Sequence, residues 1–183
     1  MNKFIFIAFI ITMIFLPYAE GYEADFILKI NEIYENISVH YEIDGEISFV
    51  LKEIKIGSAE AKRYPFGNYV ITLDYEKLAD AGDIELTGML AHELAHLESY
   101  SEMNFPGFLL FGVRYGLSED FRTKTERETD MKAIEKGYGE ELLAFREYRL
   151  ATGSGEDIEV LNENYLSIDE IKVILRKNSE GGI

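Results

Sequence analysis

The residues best suited to chemistry form one short segment, His92-Glu93-Leu94-Ala95-His96. Residues four positions apart on a helix project from one face, so His92 and His96 can hold a single metal ion together. Glu93 lies beside the first histidine and can reach a water molecule next to the ion. Zinc lowers the pKa of such a water towards about 7, and a carboxylate can then remove its proton as it attacks a carbonyl group. The segment therefore predicts one zinc ion per chain and a hydrolytic reaction.

An alternative is a surface helix whose two histidines only face solvent. The chain has three histidines in all, and the third, His40, falls on the polar side of a predicted strand, where we expect it to face solvent. Apolar residues flank the histidine pair on both sides, as in a helix that crosses the middle of a domain. These residues are Leu90, Ala91, Leu94, Ala95 and Leu97.

A catalytic zinc site normally has three protein ligands and an open position for water. No histidine follows His96, so we expect the third ligand to be a carboxylate. The best candidates lie four residues apart on one helix face, with Glu126 as the ligand and Asp130 as its neighbour. Asp130 is expected to accept a hydrogen bond from the second ring nitrogen of a ligand histidine, which we take to be His92. Glu128 points away from that face.

A different interpretation of Glu126 stays open on spacing alone. Thr123-Lys124-Thr125-Glu126 matches a capping box, in which Glu126 only closes the amino terminus of a helix. The chain contains 34 acidic residues, so a Glu and an Asp four apart carry little weight by themselves.

Hydrophobic periodicity predicts an α+β domain with an N-terminal helix, a small antiparallel sheet and a mostly helical remainder. Two β-rich runs around Asp44-Gly45 indicate a hairpin. Residues 57–68 are expected to form a loop, and Gly153-Ser154-Gly155 a hinge. The predicted strands are 39–43, 46–56 and 69–73. The predicted helices are 24–37, 83–98, 119–136, 140–151 and a last one from the capping box at Ser167 to about Lys177.

Composition excludes several classes of function. The formal net charge of −16 argues against nucleic-acid binding, because phosphate recognition needs a basic surface. The absence of cysteine excludes disulfides, thiolate zinc sites and cysteine nucleophiles. The apolar share of 47% is enough to build a core.

The first residues have the pattern of an export signal. Lys3 precedes an apolar run over 4–16, and small residues at Ala19 and Gly21 favour cleavage before Tyr22. The alternative is an uncleaved anchor in which residues 4–18 associate with the membrane. Either way we expect an exported or extracytoplasmic protein, with residues 1–21 as signal or anchor and 22–183 as one domain.

The two motifs together resemble a known family. His92-Glu93-Leu94-Ala95-His96, followed about thirty residues later by Glu126-x-x-Thr129-Asp130, is similar to the gluzincin zinc peptidases. More narrowly, it resembles the branch of the HtpX-like heat-shock proteases and the CAAX prenyl-protein endopeptidases, reduced to a minimal core (minigluzincin-like). In that branch the second motif reads Glu-x-x-Ala-Asp, so Thr129 replaces the usual alanine.

The resemblance implies a zincin-like fold, zinc held by His92, His96 and Glu126, and endopeptidase activity with Glu93 as the base. It also implies a peptide or unfolded-protein substrate that binds as an added strand along the small sheet. The family's late His-Pro segment and the arginine after it have no counterpart here. Candidates for the donor to the oxyanion are therefore Tyr115, Arg122, Tyr138 and Tyr148.

Two other functions fit the same residues. One is a zinc-binding interaction module without proteolysis, motivated by the missing oxyanion donor. The other is a zinc amidohydrolase that acts on a non-protein substrate, because the zinc-water chemistry is the same. The segment Phe105–Val113, apolar and bracketed by glycines, is expected to be a loop over the groove, or a flap or membrane-dipping element beside the zinc.

Overall fold

The computed structural model describes residues 21–181, so the predicted signal or anchor lies, apart from Gly21, outside the described residues. The described part is α+β and mostly helical, with a small sheet, which confirms the predicted class. Its helices and strands, in chain order, are α1 (Gly21–Ile37), β1 (Glu46–Leu51), β2 (Ala59–Arg63), β3 (Asn68–Leu73), α2 (Tyr75–Leu78), α3 (Asp83–Ser101), α4 (Phe105–Leu117), α5 (Glu119–Glu135), α6 (Gly139–Thr152), α7 (Glu156–Asn164) and α8 (Ile168–Gly181).

The sheet is mixed, which corrects the predicted antiparallel sheet. Its strand order is β1-β3-β2, with β3 parallel to β1 and antiparallel to β2. The central strand β3 is buried at Tyr69, Ile71 and Leu73, as its apolar sequence predicts. A parallel pair needs a crossover, and the chain between β1 and β3 supplies it while also forming β2.

The predicted hairpin around Asp44-Gly45 is wrong. Ser38–His40 is a 3-10 turn, and residues 41–45 form no strand. This segment binds to α3 instead: the Tyr41 hydroxyl donates to the Ala91 carbonyl (2.9 Å), and the Glu42 amide donates to the Glu98 carboxylate (2.6 Å). The Glu42 amide is engaged in this way and therefore does not pair with a neighbouring strand.

Strand β2 lies inside the predicted loop 57–68. Its sequence, Ala59-Glu60-Ala61-Lys62-Arg63, lacks the β-branched and aromatic residues by which strands are recognised. Charged side chains are typical of strands at the edge of a sheet, where they discourage pairing with other chains. Within the described residues β2 pairs only with β3, so its other edge is free of strand partners.

Helices α4 and α7 of the structure were not predicted from the sequence. Helix α4 takes the place of the predicted loop or flap, because the Asn104 side chain accepts a hydrogen bond from the Gly107 amide (2.8 Å) and Pro106 suits a first turn. Helix α7 follows the predicted hinge and went unrecognised. Within residues 21–181, none of the helices combines the length and the apolar composition of a membrane span. The exposed apolar side chains of α4 are Phe105, Leu109, Leu110, Val113 and Leu117.

Helix α3 runs through the middle of the domain and packs against α1, α5, α6 and β2. Every residue from Gly88 to Glu98 is buried. A side chain at Gly88 would place its Cβ 2.1 Å from the Glu141 carbonyl oxygen, so this glycine permits the close approach of α3 and α6. The helix that carries the histidine pair is therefore the core of the fold, which contradicts the surface-helix alternative.

Candidate metal centre

Three side chains from two helices meet at one point in the core. The Nε2 atoms of His92 and His96 on α3 each lie 3.2 Å from Oε2 of Glu126 on α5. The three ligand atoms lie within 4.8 Å of one another. All three residues are buried, and two imidazole nitrogens with one carboxylate oxygen are a donor set that transition metals prefer. This group could hold a metal ion.

Each histidine is fixed through its other ring nitrogen. Nδ1 of His92 lies 2.9 Å from Oδ1 of Asp130, and Nδ1 of His96 lies 3.2 Å from Oγ1 of Thr129. The Thr129 hydroxyl gives its own proton to the Thr125 carbonyl (2.9 Å), so towards His96 it acts as an acceptor. When the histidines are neutral, as a metal requires, each carries its proton on Nδ1 and presents the Nε2 lone pair to the metal.

The structure contradicts the capping-box interpretation of Glu126. Helix α5 begins at Glu119, where the Ser118 hydroxyl caps it by accepting from the Phe121 amide (3.3 Å). Glu126 is therefore two turns inside the helix. Its second oxygen accepts a hydrogen bond from the Tyr115 hydroxyl of α4.

Asp130 lies where the sequence predicts it, beside His92, and its carboxylate is completely buried. Besides the imidazole it accepts two hydrogen bonds from the Arg146 guanidinium (3.1 and 2.9 Å) and one from the Leu166 amide (2.9 Å). The Arg146 guanidinium in turn stacks over the Tyr165 ring, 4.6 Å from its centroid. Neither Arg146 nor Tyr165 could be predicted as part of the site from the sequence, because both reach it through tertiary packing.

The charges in the site perturb the titration of its members. Burial alone lowers the pKa of His92, but the carboxylates of Asp130 and Glu126 outweigh burial and raise that pKa to about 10. Burial alone raises the pKa of the Glu126 carboxyl, but His96 and His92 hold it well below its usual value. The metal-free site is therefore a buried ion pair of imidazolium and carboxylate.

Glu93 is buried beside the histidine pair, and its carboxylate is not a member of the group of three ligand atoms. It lines a cavity of about 590 Å³ together with His92 and Glu126. Burial is the largest cause that raises the pKa of its carboxyl, while the charges of His92 and His96 act in the opposite direction. Glu93 therefore stands at the cavity surface, next to the ligand set.

The four predicted oxyanion donors separate into two groups. Tyr115 and Arg122 line the cavity. The other two are engaged elsewhere: the Tyr138 hydroxyl bonds to Nδ1 of His40, and the Tyr148 hydroxyl donates to the Lys77 carbonyl (3.0 Å).

A further cavity-lining tyrosine, which sequence reasoning missed, is Tyr165. Its ring centroid lies 5.6 Å from that of His92. No motif surrounds it, and its place in the cavity follows from the turn between α7 and α8.

Comparison with known proteins gives no match: no family model, no curated protein and no solved structure matches this chain. Function must therefore be inferred from the geometry of the site. That geometry brings together the three predicted ligands His92, His96 and Glu126, with Asp130 bonded to His92 and Glu93 lining the same cavity.

The hydrogen bond from His96 to Thr129 predicts a contribution to metal affinity. Thr129→Val keeps the shape of the side chain but removes the acceptor, so we expect Zn²⁺ to bind about tenfold more weakly, as is usual for a ligand that loses its outer hydrogen bond. Thr129→Ser keeps the acceptor and should bind within a factor of about two of wild type. Competition with a chromophoric chelator measures both constants.

The matched control for that pair is Thr87→Val on α3. The Thr87 hydroxyl also donates to a carbonyl four residues back, that of Asp83 (2.7 Å), but it lies away from the site. Thr87→Val should leave the Zn²⁺ affinity unchanged. Wild-type affinity in Thr129→Val would show that the threonine does not hold His96.

The raised pKa of His92 predicts that metal and proton compete. Because the pKa of His92 is raised to about 10, the metal-free protein keeps this histidine protonated at neutral pH. A metal ion binds only the neutral imidazole. Metal binding at pH 7 should therefore release about one proton, and the apparent affinity should rise about tenfold per pH unit between pH 7 and 9. Calorimetric titration in two buffers of different ionisation enthalpy measures the number released. No net proton release would contradict the buried ion pair.

Proposed function

We propose that this chain is a zinc-dependent endopeptidase that holds one zinc ion between His92, His96 and Glu126. One observation carries the proposal. Both Nε2 atoms point at the same Glu126 oxygen, while both Nδ1 atoms are engaged by acceptors that fix the ligating tautomer. Such an arrangement is typical of a metal site with its supporting shell in place.

Zinc fits this donor set better than other common ions. Two imidazoles and one carboxylate are the protein ligands of a well-known class of catalytic zinc sites, which leave one position for water. Magnesium and calcium prefer oxygen ligands throughout. When bound, zinc acts as a Lewis acid that lowers the pKa of a water and polarises a carbonyl group.

Glu93 is suited to move the proton in this reaction. Its carboxylate lines the cavity next to the ligands, and burial raises its pKa towards the range of a group that both accepts and returns a proton. In our proposal Glu93 takes a proton from the attacking water as the water oxygen bonds to the peptide carbon. It then gives that proton to the nitrogen of the leaving amine as the carbon–nitrogen bond breaks.

Tyr165 is our candidate for the donor to the developing oxyanion. Its ring lies beside that of His92 in the cavity, and its hydroxyl has no hydrogen-bond partner among residues 21–181. Tyr115 is less suited, because its hydroxyl already donates to Glu126. Arg122 lines the same cavity and is the second candidate.

The free edge of β2 offers a binding surface for an extended peptide. Ser58, Ala59 and Glu60 line the cavity, so the start of β2 borders the site. We propose that the substrate adds to this edge as an antiparallel strand, with backbone hydrogen bonds supplying much of the affinity. Such binding recognises an unfolded peptide segment rather than a folded surface.

These features support assignment to the gluzincins, as a minimal zincin-like relative of the HtpX-like and CAAX prenyl-protein endopeptidase branch. The spacing of the two motifs and the role of each side chain match that resemblance. Export of the chain by residues 1–21 remains part of the proposal. A prenylated substrate is not part of the proposal.

The proposal predicts that Glu93→Gln separates metal binding from turnover. The amide is isosteric and is not a metal ligand, so zinc content should stay at wild-type level. Cleavage of an unfolded protein such as casein should fall by about 10²–10⁴-fold, because the amide cannot shuttle a proton.

Glu85→Gln, also on α3 but outside the cavity, is the matched control and should cleave at the wild-type rate. Equal turnover in Glu93→Gln and wild type would refute the mechanism. A zinc-loaded wild type that cleaves nothing would favour the interaction-module alternative.

A further inference from the structure

The cavity that contains the candidate metal centre also contains a buried arginine with no assigned role. Arg149 on α6 is 4% exposed and lines the cavity. It lies one helical turn beyond Arg146, which bonds to Asp130 beside His92. Arg149 therefore shares one cavity with His92, Glu93 and Glu126 and does not belong to the ligand set.

Arg149 lacks the hydrogen bonds that a buried guanidinium normally makes. Within residues 21–181 its side chain donates none, and the nearest carboxylate is that of Asp157, 3.6 Å from Nη2. That carboxylate already accepts from the Lys77 ammonium (2.9 Å) and from the Gly57 amide (2.8 Å). Asp157 therefore gives Arg149 partial charge compensation without a hydrogen bond.

The neighbouring cation is fully engaged. The Lys77 ammonium donates to the carbonyls of Ile54 (2.8 Å) and Gly57 (3.0 Å) as well as to Asp157, so all three of its protons are used. Lys77 and Arg149 share the single negative charge of Asp157. Among these three groups one positive charge is left over, and Arg149 is the member that lines the cavity and donates no side-chain hydrogen bond within residues 21–181.

Because the Arg149 guanidinium donates no hydrogen bond to residues 21–181, only water or a ligand in the cavity can satisfy its donors. Burial lowers the pKa of the Arg149 guanidinium, whereas Asp157 acts in the opposite direction. The planar guanidinium offers a fork of parallel N–H donors that matches the two oxygens of a carboxylate. A ligand carboxylate in the cavity would satisfy both the charge and the donors.

The place of Arg149 along the cleft indicates which part of a substrate it meets. Asp157 bonds to Gly57, two residues before β2 begins at Ala59, so Arg149 lies near the amino-terminal end of this strand. An antiparallel partner of β2 has its carboxyl-terminal end beside that point. The charge of Glu60, further along β2, acts on Glu93, so the reacting centre lies beyond Arg149 in the direction of this strand. Arg149 therefore faces the part of the peptide that follows the scissile bond.

We propose that Arg149 binds a carboxylate in the leaving-group half of the substrate, either an Asp or Glu side chain or the carboxyl terminus of the peptide. This inference rests on the proposed peptidase function and adds a substrate class to it. The chain has a net charge of −16, so its long-range field disfavours an acidic substrate. A buried cation still attracts a carboxylate at short range and can therefore select an acidic substrate.

Paired quenched fluorescent peptides test the specificity. One set carries Glu or Gln at each of the first three positions after the cleaved bond and has amidated ends. The other set ends at those positions as a free carboxylate or an amide. For the full chain we expect kcat/KM to favour the charged member of one pair by at least about tenfold, a usual size for a charge-assisted hydrogen bond. The set in which the preference appears identifies the source of the carboxylate.

Variants assign the preference to Arg149. Arg149→Met should reduce the ratio between charged and neutral peptides to within about twofold, and Arg149→Lys, which keeps the charge without the fork, should retain part of it. Arg176→Met is the matched control, an exposed arginine of α8 outside the cavity, and should keep the full ratio. The comparison of peptides on wild type stands even if Arg149→Met does not fold.

Binding without catalysis separates the two proposals. Two carboxylate probes are titrated into metal-free protein and followed by NMR: N-acetylglutamate amide, which carries a side-chain carboxylate, and N-acetylalanine, which carries a terminal one. Their neutral counterparts are N-acetylglutamine amide and N-acetylalanine amide. At least one carboxylate probe should bind more tightly than its neutral counterpart, and Arg149→Met should lose the difference. If peptides are cleaved without any carboxylate preference, the Arg149 subsite is refuted and the peptidase stands. If no peptide is cleaved but a carboxylate probe binds through Arg149, the peptidase fails and the subsite stands. If neither carboxylate probe binds, the subsite is refuted.

Discussion

The carboxylate of Asp130 is the charge on which the candidate site and much of the domain depend. It is completely buried and accepts hydrogen bonds from His92 on α3, Arg146 on α6 and the Leu166 amide before α8. Its own helix, α5, also supplies Glu126 and Thr129 to the site. A buried carboxylate is stable only when donors surround it, and these donors come from three separate parts of the chain. The same bonds thus close the fold and orient the first histidine.

Helix α3 forms the centre of the hydrophobic core and also carries both histidines of the site. Leu90, Leu94 and Leu97 are completely buried on α3, between and beside the two histidines. The histidine rings therefore sit on a backbone that cannot shift without disturbing the core. A metal site built in this way is preorganised, and the hydrogen bonds of Asp130 and Thr129 complete the preorganisation by fixing both rings. This arrangement explains how a small domain can hold the charged groups of the site in its interior.

The sequence was most informative where chemistry and periodicity coincide. Spacing on a helix was enough to pair His92 with His96, whereas Glu126 and Asp130 were only candidates on spacing and were favoured by the family resemblance; the structure brings all four together. The groups it did not indicate reach the site by tertiary packing, as Arg146 and Tyr165 do. Thr129 matched the motif only as a small replacement for alanine, and its bond to His96 becomes visible only when the two helices are packed.

The prediction of secondary structure from sequence failed where local preference and tertiary context disagree. Asp44-Gly45 is a strong turn signal, but the flanking Tyr41 bonds to α3 and the hairpin does not form. Strand β2 is too charged to be recognised, because its role is to form an edge. Helix α4 contains three glycines that favoured a loop, and its cap at Asn104 outweighed them. Each failure involves a long-range contact or a cap rather than the hydrophobic pattern.

The measurement that tests the central claim most directly is the zinc content of the purified protein beside two variants of α5. Glu126→Ala removes the proposed ligand, and Glu128→Ala removes an exposed carboxylate two residues away on another face of the same helix. We predict about one zinc per chain in wild type and in Glu128→Ala, and little or none in Glu126→Ala under the same conditions. A wild type that takes up no zinc from excess metal, or a Glu126→Ala variant that holds zinc as tightly as wild type, would contradict the account.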